Sequence, residues 1–202
     1  TAAARLETDL AGQPVIKAAI QDLVGTLYFE LGNSNRSEQY LRSALALRQQ
    51  HLAPGDPDLV RSTVALAWLH RNERKYDEAE SLLKRAIAAT KSPEFPAGVA
   101  AITHLQLARV YDQIPARRAE AEALFKSAIA LASPLEDHEA RRTAGLARWH
   151  LGKLLVNLKR ADEARPLFDQ AARDFEAQND RLTRAKVMLD VALLERDRKD
   201  FG

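Results

Sequence analysis

Leu-Ala-Trp-Leu-His (66–70), followed by Tyr-Asp-Glu-Ala-Glu-Ser-Leu-Leu-Lys-Arg-Ala-Ile (76–87), is the stretch whose reading decides the architecture. A variant returns as Leu-Ala-Arg-Val-Tyr (107–111) with Ala-Glu-Ala-Leu-Phe-Lys-Ser-Ala-Ile (121–129). Another is Leu-Gly-Lys-Leu-Leu (151–155) with Ala-Asp-Glu-Ala-Arg-Pro-Leu-Phe-Asp-Gln-Ala-Ala (161–172), and an earlier one is Val-Gly-Thr-Leu-Tyr (24–28) with Ser-Glu-Gln-Tyr-Leu-Arg-Ser-Ala-Leu (37–45). Three small positions recur in register: Gly25, Ala67, Ala108 and Gly152; then Ser37, Ala79, Ala121 and Ala164; then Ala44, Ala86, Ala128 and Ala171. The last set is spaced by about 42, 42 and 43 residues, a fixed period that marks a repeat architecture.

Apolar residues recur with helical spacing, and no stretch alternates like a half-buried strand. The periodicity predicts helices over 14–32, 35–52, 57–73, 76–91, 94–114, 116–133, 135–158, 161–178 and 180–198. Asp56-Pro57, Ser92-Pro93 and Ser133-Pro134 each offer a capping side chain beside a proline suited to a first helical turn. Gly32-Asn33 ends one helix, and Asn35 with Glu38 forms a capping box for the next. Arg74-Lys75 and Lys159-Arg160 stand at the equivalent turns, where cations suit the preceding helix dipole. Two antiparallel helices approach closely only across small side chains, so Gly25 is expected to face Ser37 and Gly152 to face Ala164. Leu41, Leu83, Phe125 and Phe168 then fill the space between hairpins, because one hairpin alone cannot bury its apolar face.

These features resemble the tetratricopeptide repeat: a helix with Leu-Gly/Ala-x-x-Tyr, then one with Ala-x-x-x-Phe/Leu-x-x-Ala. The resemblance covers 14–178, with repeats at 14–56, 57–92, 93–133 and 134–178, and a capping helix and tail over 179–202. It implies an all-α fold, a right-handed superhelical solenoid of helix-turn-helix hairpins. The period exceeds the usual ~34 residues, and the surplus follows each second helix, as in His-Leu-Ala-Pro-Gly-Asp-Pro-Asp (51–58). That lengthened form resembles kinesin-light-chain repeats, which also occur in bacterial regulators. Residues 4–15 resemble the entry to repeat arrays that trail bacterial serine/threonine kinases. Ala2 to Leu10 reads as the tail of an upstream helix, with 1–13 as that helix and its linker, so a larger parent is expected. Copy three departs from the pattern through Pro115 at its turn and one extra residue before Ala121. Thr183 to Asp197 lacks the small residues and reads as a cap, or as the first half of a fifth repeat.

The 202 residues carry a net charge of +2 and no cysteine, which excludes disulfides, thiolate chemistry and cysteine-bound zinc. The balance is too slight to argue for nucleic acid, and no apolar run reaches the ~18–20 residues of a membrane span. His51, His70, His104, His138 and His150 show no i, i+4 pair, and none is flanked by the carboxylate pattern that a zinc or iron site needs. Asp200-Phe201-Gly202 spells a kinase tripeptide without the loops that accompany it, and no motif joins a nucleophile to a base. No cofactor, no metal and no catalysis are expected.

In the repeat family the first helix of each copy lines a concave groove. Positions three before and one, four and five after the small residue give Asp22, Thr26, Phe29 and Glu30 in copy one. They give Val64, Trp68, Arg71 and Asn72 in copy two, and Leu105, Arg109, Asp112 and Gln113 in copy three. Copy four supplies Trp149, Lys153, Val156 and Asn157. The resemblance implies a non-catalytic protein-interaction scaffold holding a peptide or partner helix, with an acidic–apolar motif suited to Trp68, Arg109 and Lys153. Asn72, Gln113 and Asn157 share one register, where amides pair with an extended backbone. The chaperone-tail version of the fold clamps a terminal carboxylate with a lysine and asparagines in copy one. Asp22, Thr26 and Glu30 here would repel it. Two other readings are a ligand-sensing regulatory domain of a larger bacterial protein such as a kinase, and a self-association module. The expected state is a monomer or weak homodimer in the cytoplasm, or on the outer face of a membrane-anchored parent.

Overall fold

The structure, a computed structural model, describes Leu10 and residues 12–200, with side chains as far as Arg196. The expected N-terminal helix tail over 2–10, the kinase-array likeness over 4–15 and the 200–202 tripeptide fall wholly or largely outside the described residues. Among the described residues the regular structure is entirely helical. Helices α1 (Pro14–Glu30), α2 (Ser34–His51), α3 (Pro57–Asn72) and α4 (Tyr76–Ala89) build one compact unit, which ends at Val99. The second unit begins at Ala100, within α5 (Ala97–Asp112), and continues through a 3₁₀ turn at Pro115–Arg117. It comprises also α6 (Arg118–Ala132), α7 (His138–Asn157), α8 (Ala161–Ala177) and α9 (Arg181–Asp200).

Within the first unit each helix packs on the next, and in the second α6, α7, α8 and α9 do the same. The repeated small residues sit where those contacts are closest. Ala67, Ala108, Ser37, Ala79, Ala121, Ala164, Ala44, Ala128 and Ala171 are fully buried, as are Leu41, Leu83 and Phe125. A Cβ on Gly25 would stand 2.8 Å from Leu41 Cγ and 3.2 Å from Ser37 O, so Gly25 does face Ser37, with Leu41 nearer still. At Gly152 the nearest atoms all belong to the Phe168 ring, 2.5 Å from an added Cβ.

Helix ends follow local geometry. Asp56 accepts from Asp58 N at 2.8 Å beside Pro57, as expected. Asn33, not Asn35, caps α2 by accepting from Arg36 N at 3.1 Å, while Glu38 turns to Arg42. The helix of copy three opens after Pro96 rather than Pro93, because a residue before proline is biased away from helical angles. Ser133 closes α6, and Asp137 caps α7 by accepting from Ala140 N at 2.8 Å. Copy three makes its inner turn through the 3₁₀ segment at Pro115, in keeping with its irregular sequence.

The other hairpin turns share one device. Gly32, Arg74, Lys159 and Asn179 adopt φ of 77°, 62°, 62° and 56°. The next residue's N–H then reaches back to a carbonyl five positions earlier, as in Lys75 N to His70 O (2.9 Å) and Arg160 N to Leu155 O (2.8 Å). This left-handed closure favours glycine, and a side chain there costs about 1–2 kcal/mol. Lys159 is exposed. Lys159→Gly should therefore gain about 0.5–1 kcal/mol after the entropy glycine adds to the unfolded chain. Thermal unfolding checks this: the melting point should rise by about 2–4 °C.

Candidate interaction faces

Each unit presents a stripe from its first helices. On a helix, residues three before and four after a given position lie nearly above it, whereas those one and five after are rotated well away. The structure follows that division in part. Val64, Arg71 and Leu105, from the nearer positions, are buried, and so belong to the hairpin rather than to an open face. Asp22 also turns inward: its Oδ2 accepts from Ser62 Oγ at 2.7 Å and from the buried Arg48. Burial pushes the Asp22 carboxyl above its ordinary value, against the pull of Ser62 and Arg48. Thr26 donates to the backbone of its own helix, at Asp22 O (3.0 Å).

What stays accessible in the first unit is Glu30, Asn72 and parts of Phe29 and Trp68. Trp68 packs edge-on against Phe29 of the preceding copy, with ring centroids 4.6 Å apart. Asn72 Nδ2 donates to Trp68 O (2.8 Å), and its Oδ1 accepts from Arg71 (3.2 Å). The amide is therefore engaged with its own helix.

The second unit is more open. Gln113, Lys153 and Asn157 are exposed, and Arg109 and Asp112 are half-buried. Burial lowers the Arg109 guanidinium to about 10, with Asp112 pulling the other way. Burial likewise raises the Asp112 carboxyl, opposed by Arg118, Lys153 and Arg109. Trp149 Nε1 donates to Asp190 Oδ2 at 2.6 Å, and Lys153 Nζ stands 5.5 Å from the Trp149 ring centre. Lys153, Val156 and Asn157 then form one wall of a cleft of about 240 Å³, with Leu193 and Leu194 of α9 opposite.

That α9 wall escaped the sequence reading. Without small residues to set its register, Asp190, Leu193, Leu194 and Arg196 could not be assigned to a face. Their helical spacing from Val187 and Val191, both buried, is the signal that places them.

Three histidines are packed, and His51 and His138 are exposed. His70 is buried and His104 Nδ1 lies 2.8 Å from Ser127 Oγ, while His150 stacks between Phe125 and Trp149. Among the described residues no three metal-binding side chains gather, and no helix is long and apolar enough to cross a membrane.

Residues 17–92 match the family described as the tetratricopeptide repeat. Over that stretch, less than half of the chain, its helix pairs are similar to tetratricopeptide repeats. Among solved structures it is similar to BtubC (BKLC) from P. vanneervenii, at 18% identity and a TM-score of 0.67, covering 83% of this chain and 66% of that one. Aspartyl phosphate phosphatase F from Bacillus subtilis gives 16% identity and a TM-score of 0.72, over 87% of this chain and 44% of that one. The nearly identical TPR-like repeats of a kinesin light chain from Podosopora anserina give 16% and 0.65, over 93% and 98%. The chain thus spans less than two thirds of the first two neighbours, and at these identities the likeness is one of fold. No curated protein matches.

Proposed function

We propose that this tetratricopeptide-repeat chain is a non-catalytic protein-interaction module that holds an extended peptide or partner helix against its first-helix faces. The observation that carries the reading is the cleft of the second unit, where apolar Val156, Leu193 and Leu194 meet an exposed ammonium and an exposed amide. An apolar side chain of the ligand enters the cleft, a neighbouring carboxylate pairs with Lys153, and Asn157 and Gln113 hydrogen-bond the ligand backbone. Trp149, fixed by Asp190, supplies a rigid aromatic edge of the kind enriched in binding hot spots. The first unit contributes Trp68 and Phe29 as a smaller aromatic patch, next to the carboxylate of Glu30.

Random-peptide display on the intact chain, beside a Lys153→Glu, Asn157→Ala variant, tests this reading. Both side chains are exposed, so helicity should not change. Acidic–apolar peptides should enrich on the parent and bind the variant at least about tenfold more weakly, a loss of about 1.4 kcal/mol. Equal binding to both proteins, or enrichment of basic peptides on the parent, would overturn the assignment. A regulatory role within a larger bacterial protein is compatible with the same face, and the sequence of the full-length gene decides it.

A further inference from the structure

We propose that the chain bears a second docking site, on the side of its second helices, which takes one apolar side chain of a protein partner with a carboxylate beside it. The site is a cleft of about 260 Å³ in the first unit, between α2, α3 and α4. Leu45, Val60, Leu82 and Ala86 line it from the helices, and Leu52 and Pro54 close one side. Those last two belong to the connection that lengthens the repeat. Leu52 leaves α2 in an extended conformation, and Asp56 N bonds back to Ala53 O at 2.9 Å. The surplus residues therefore build a wall rather than a free loop.

The rim is polar and one-sided. Gln49 and Arg85 both stand at the cleft and are exposed, and no acidic side chain lines it. Arg85 has no ion-pair partner among the described residues, whereas its neighbour Lys84 is tied to Glu80 at 2.6 Å. A free guanidinium at an apolar cleft favours a carboxylate, which it can bind through two parallel hydrogen bonds.

The second unit offers an internal comparison. Ile129 and Leu167 hold the repeat positions of Leu45 and Leu82, and they line a cleft of about 420 Å³ between α6, α7 and α8. There the position of Arg85 is taken by Gln170, Lys126 is bound to Glu122 at 2.7 Å, and Glu163 accepts from Arg160 at 2.7 Å. The two clefts share those positions but face different stretches of the first helix, Leu59, Val60 and Thr63 of α3 in one and Leu151 and Leu155 of α7 in the other. The unpaired cation belongs to the first alone. Its volume falls below the ~300–1,000 Å³ of most small-molecule sites, which suits one side chain presented on a partner's backbone, with Gln49 placed to bond that backbone.

The test is a methyl-detected NMR titration of the intact chain with two capped tetrapeptides, one carrying Phe next to Asp and the other Phe next to Lys. The expected result is saturable movement of the Leu45, Leu82 and Ala86 methyls by the Phe-Asp peptide, which persists in a Lys153→Glu, Asn157→Ala background where the response of the Trp149 indole is lost. Arg85→Glu should weaken that peptide by at least about tenfold and favour the Phe-Lys one. Ala89→Met, which fills the cleft without touching the rim charge, should weaken both. Equal shifts from the two peptides, indifference to Arg85→Glu, or no shift at millimolar peptide would each overturn the proposal. So would decanoate moving these methyls in place of the peptide, or a dependence of the methyl shifts on protein concentration alone, since the occupant would then be a fatty acid or a second copy. A Trp149 indole that never responds in the parent chain, while these methyls still titrate, would sink the first-helix reading instead.

Discussion

Arg48→Met should lower the unfolding free energy by about 3–5 kcal/mol, the usual cost of stripping one partner from a buried ion pair. Arg48 of α2 is buried and meets Asp22 of α1 and Ser62 of α3, so one guanidinium ties three helices across the first two repeats. Asp22 Oδ1 and Arg48 Nε have no partner of their own, which leaves the carboxylate little to fall back on once the cation goes. The pH dependence carries the diagnosis. Burial already holds the Asp22 carboxyl above its ordinary 3.8, and losing Arg48 pushes it higher. A carboxyl whose folded value exceeds its unfolded value binds more protons when folded, so its contribution improves as pH falls. The deficit of Arg48→Met should therefore be full at neutral pH and shrink as pH drops through the raised value of Asp22. Urea unfolding across pH checks both points. A deficit that is constant with pH would mean lost packing rather than a stranded charge. Replacing both residues together, as Asp22→Leu with Arg48→Met, should recover most of the loss.

Asp22 also shows what sequence could and could not reveal. The repeat period placed the small residues correctly, because a helix crossing tolerates few residue types and the pattern repeats four times. Ala79, Ala121 and Ala164 are all fully buried, as their spacing requires. Binding positions follow a looser rule. Projecting a wide stripe from the small residue swept in Val64 and Leu105, which share its side of the helix, and Asp22, whose partners come from α2 and α3. Only the position five residues on, Glu30, Asn72, Gln113 and Asn157, is exposed in every copy, and the position one residue on is exposed at Lys153 alone. Cap choice failed for a related reason. Asn33 and Asn35, Ser133 and Asp137, Pro93 and Pro96 are chemically equivalent candidates a few residues apart, and backbone geometry selects between them. The α9 wall of the cleft lacked any repeat signature, so nothing in the chain's periodicity could set its register.

Gly152→Ala should destabilise the fold by about 1–2 kcal/mol, although alanine is the better helix former by roughly 1 kcal/mol. The opposing effect is steric. The added methyl would lie 2.5 Å from Phe168 Cε1 and 2.8 Å from Cδ1, far inside contact distance, and overpacking of this kind costs about 1–3 kcal/mol, with the upper end expected here or exceeded. Phe168 is 1% exposed in the interior of α8, so the ring has little room to retreat. Copy three shows that the frame can hold the larger residue: Ala108 and Phe125 occupy the corresponding positions and both are fully buried. That hairpin, however, has the extra residue and the 3₁₀ turn at Pro115–Arg117. Copy four closes through Lys159 in the tight left-handed turn and has no such slack. Copy two shows the other solution, Ala67 with Leu83, both at 0% exposure. Phe168→Leu in the Gly152→Ala background should accordingly restore stability, while Phe168→Leu alone leaves a void and lowers it. A double-mutant cycle by thermal unfolding measures the coupling, which should favour the double variant by more than about 1 kcal/mol. Additive losses would mean that the ring and the glycine do not meet.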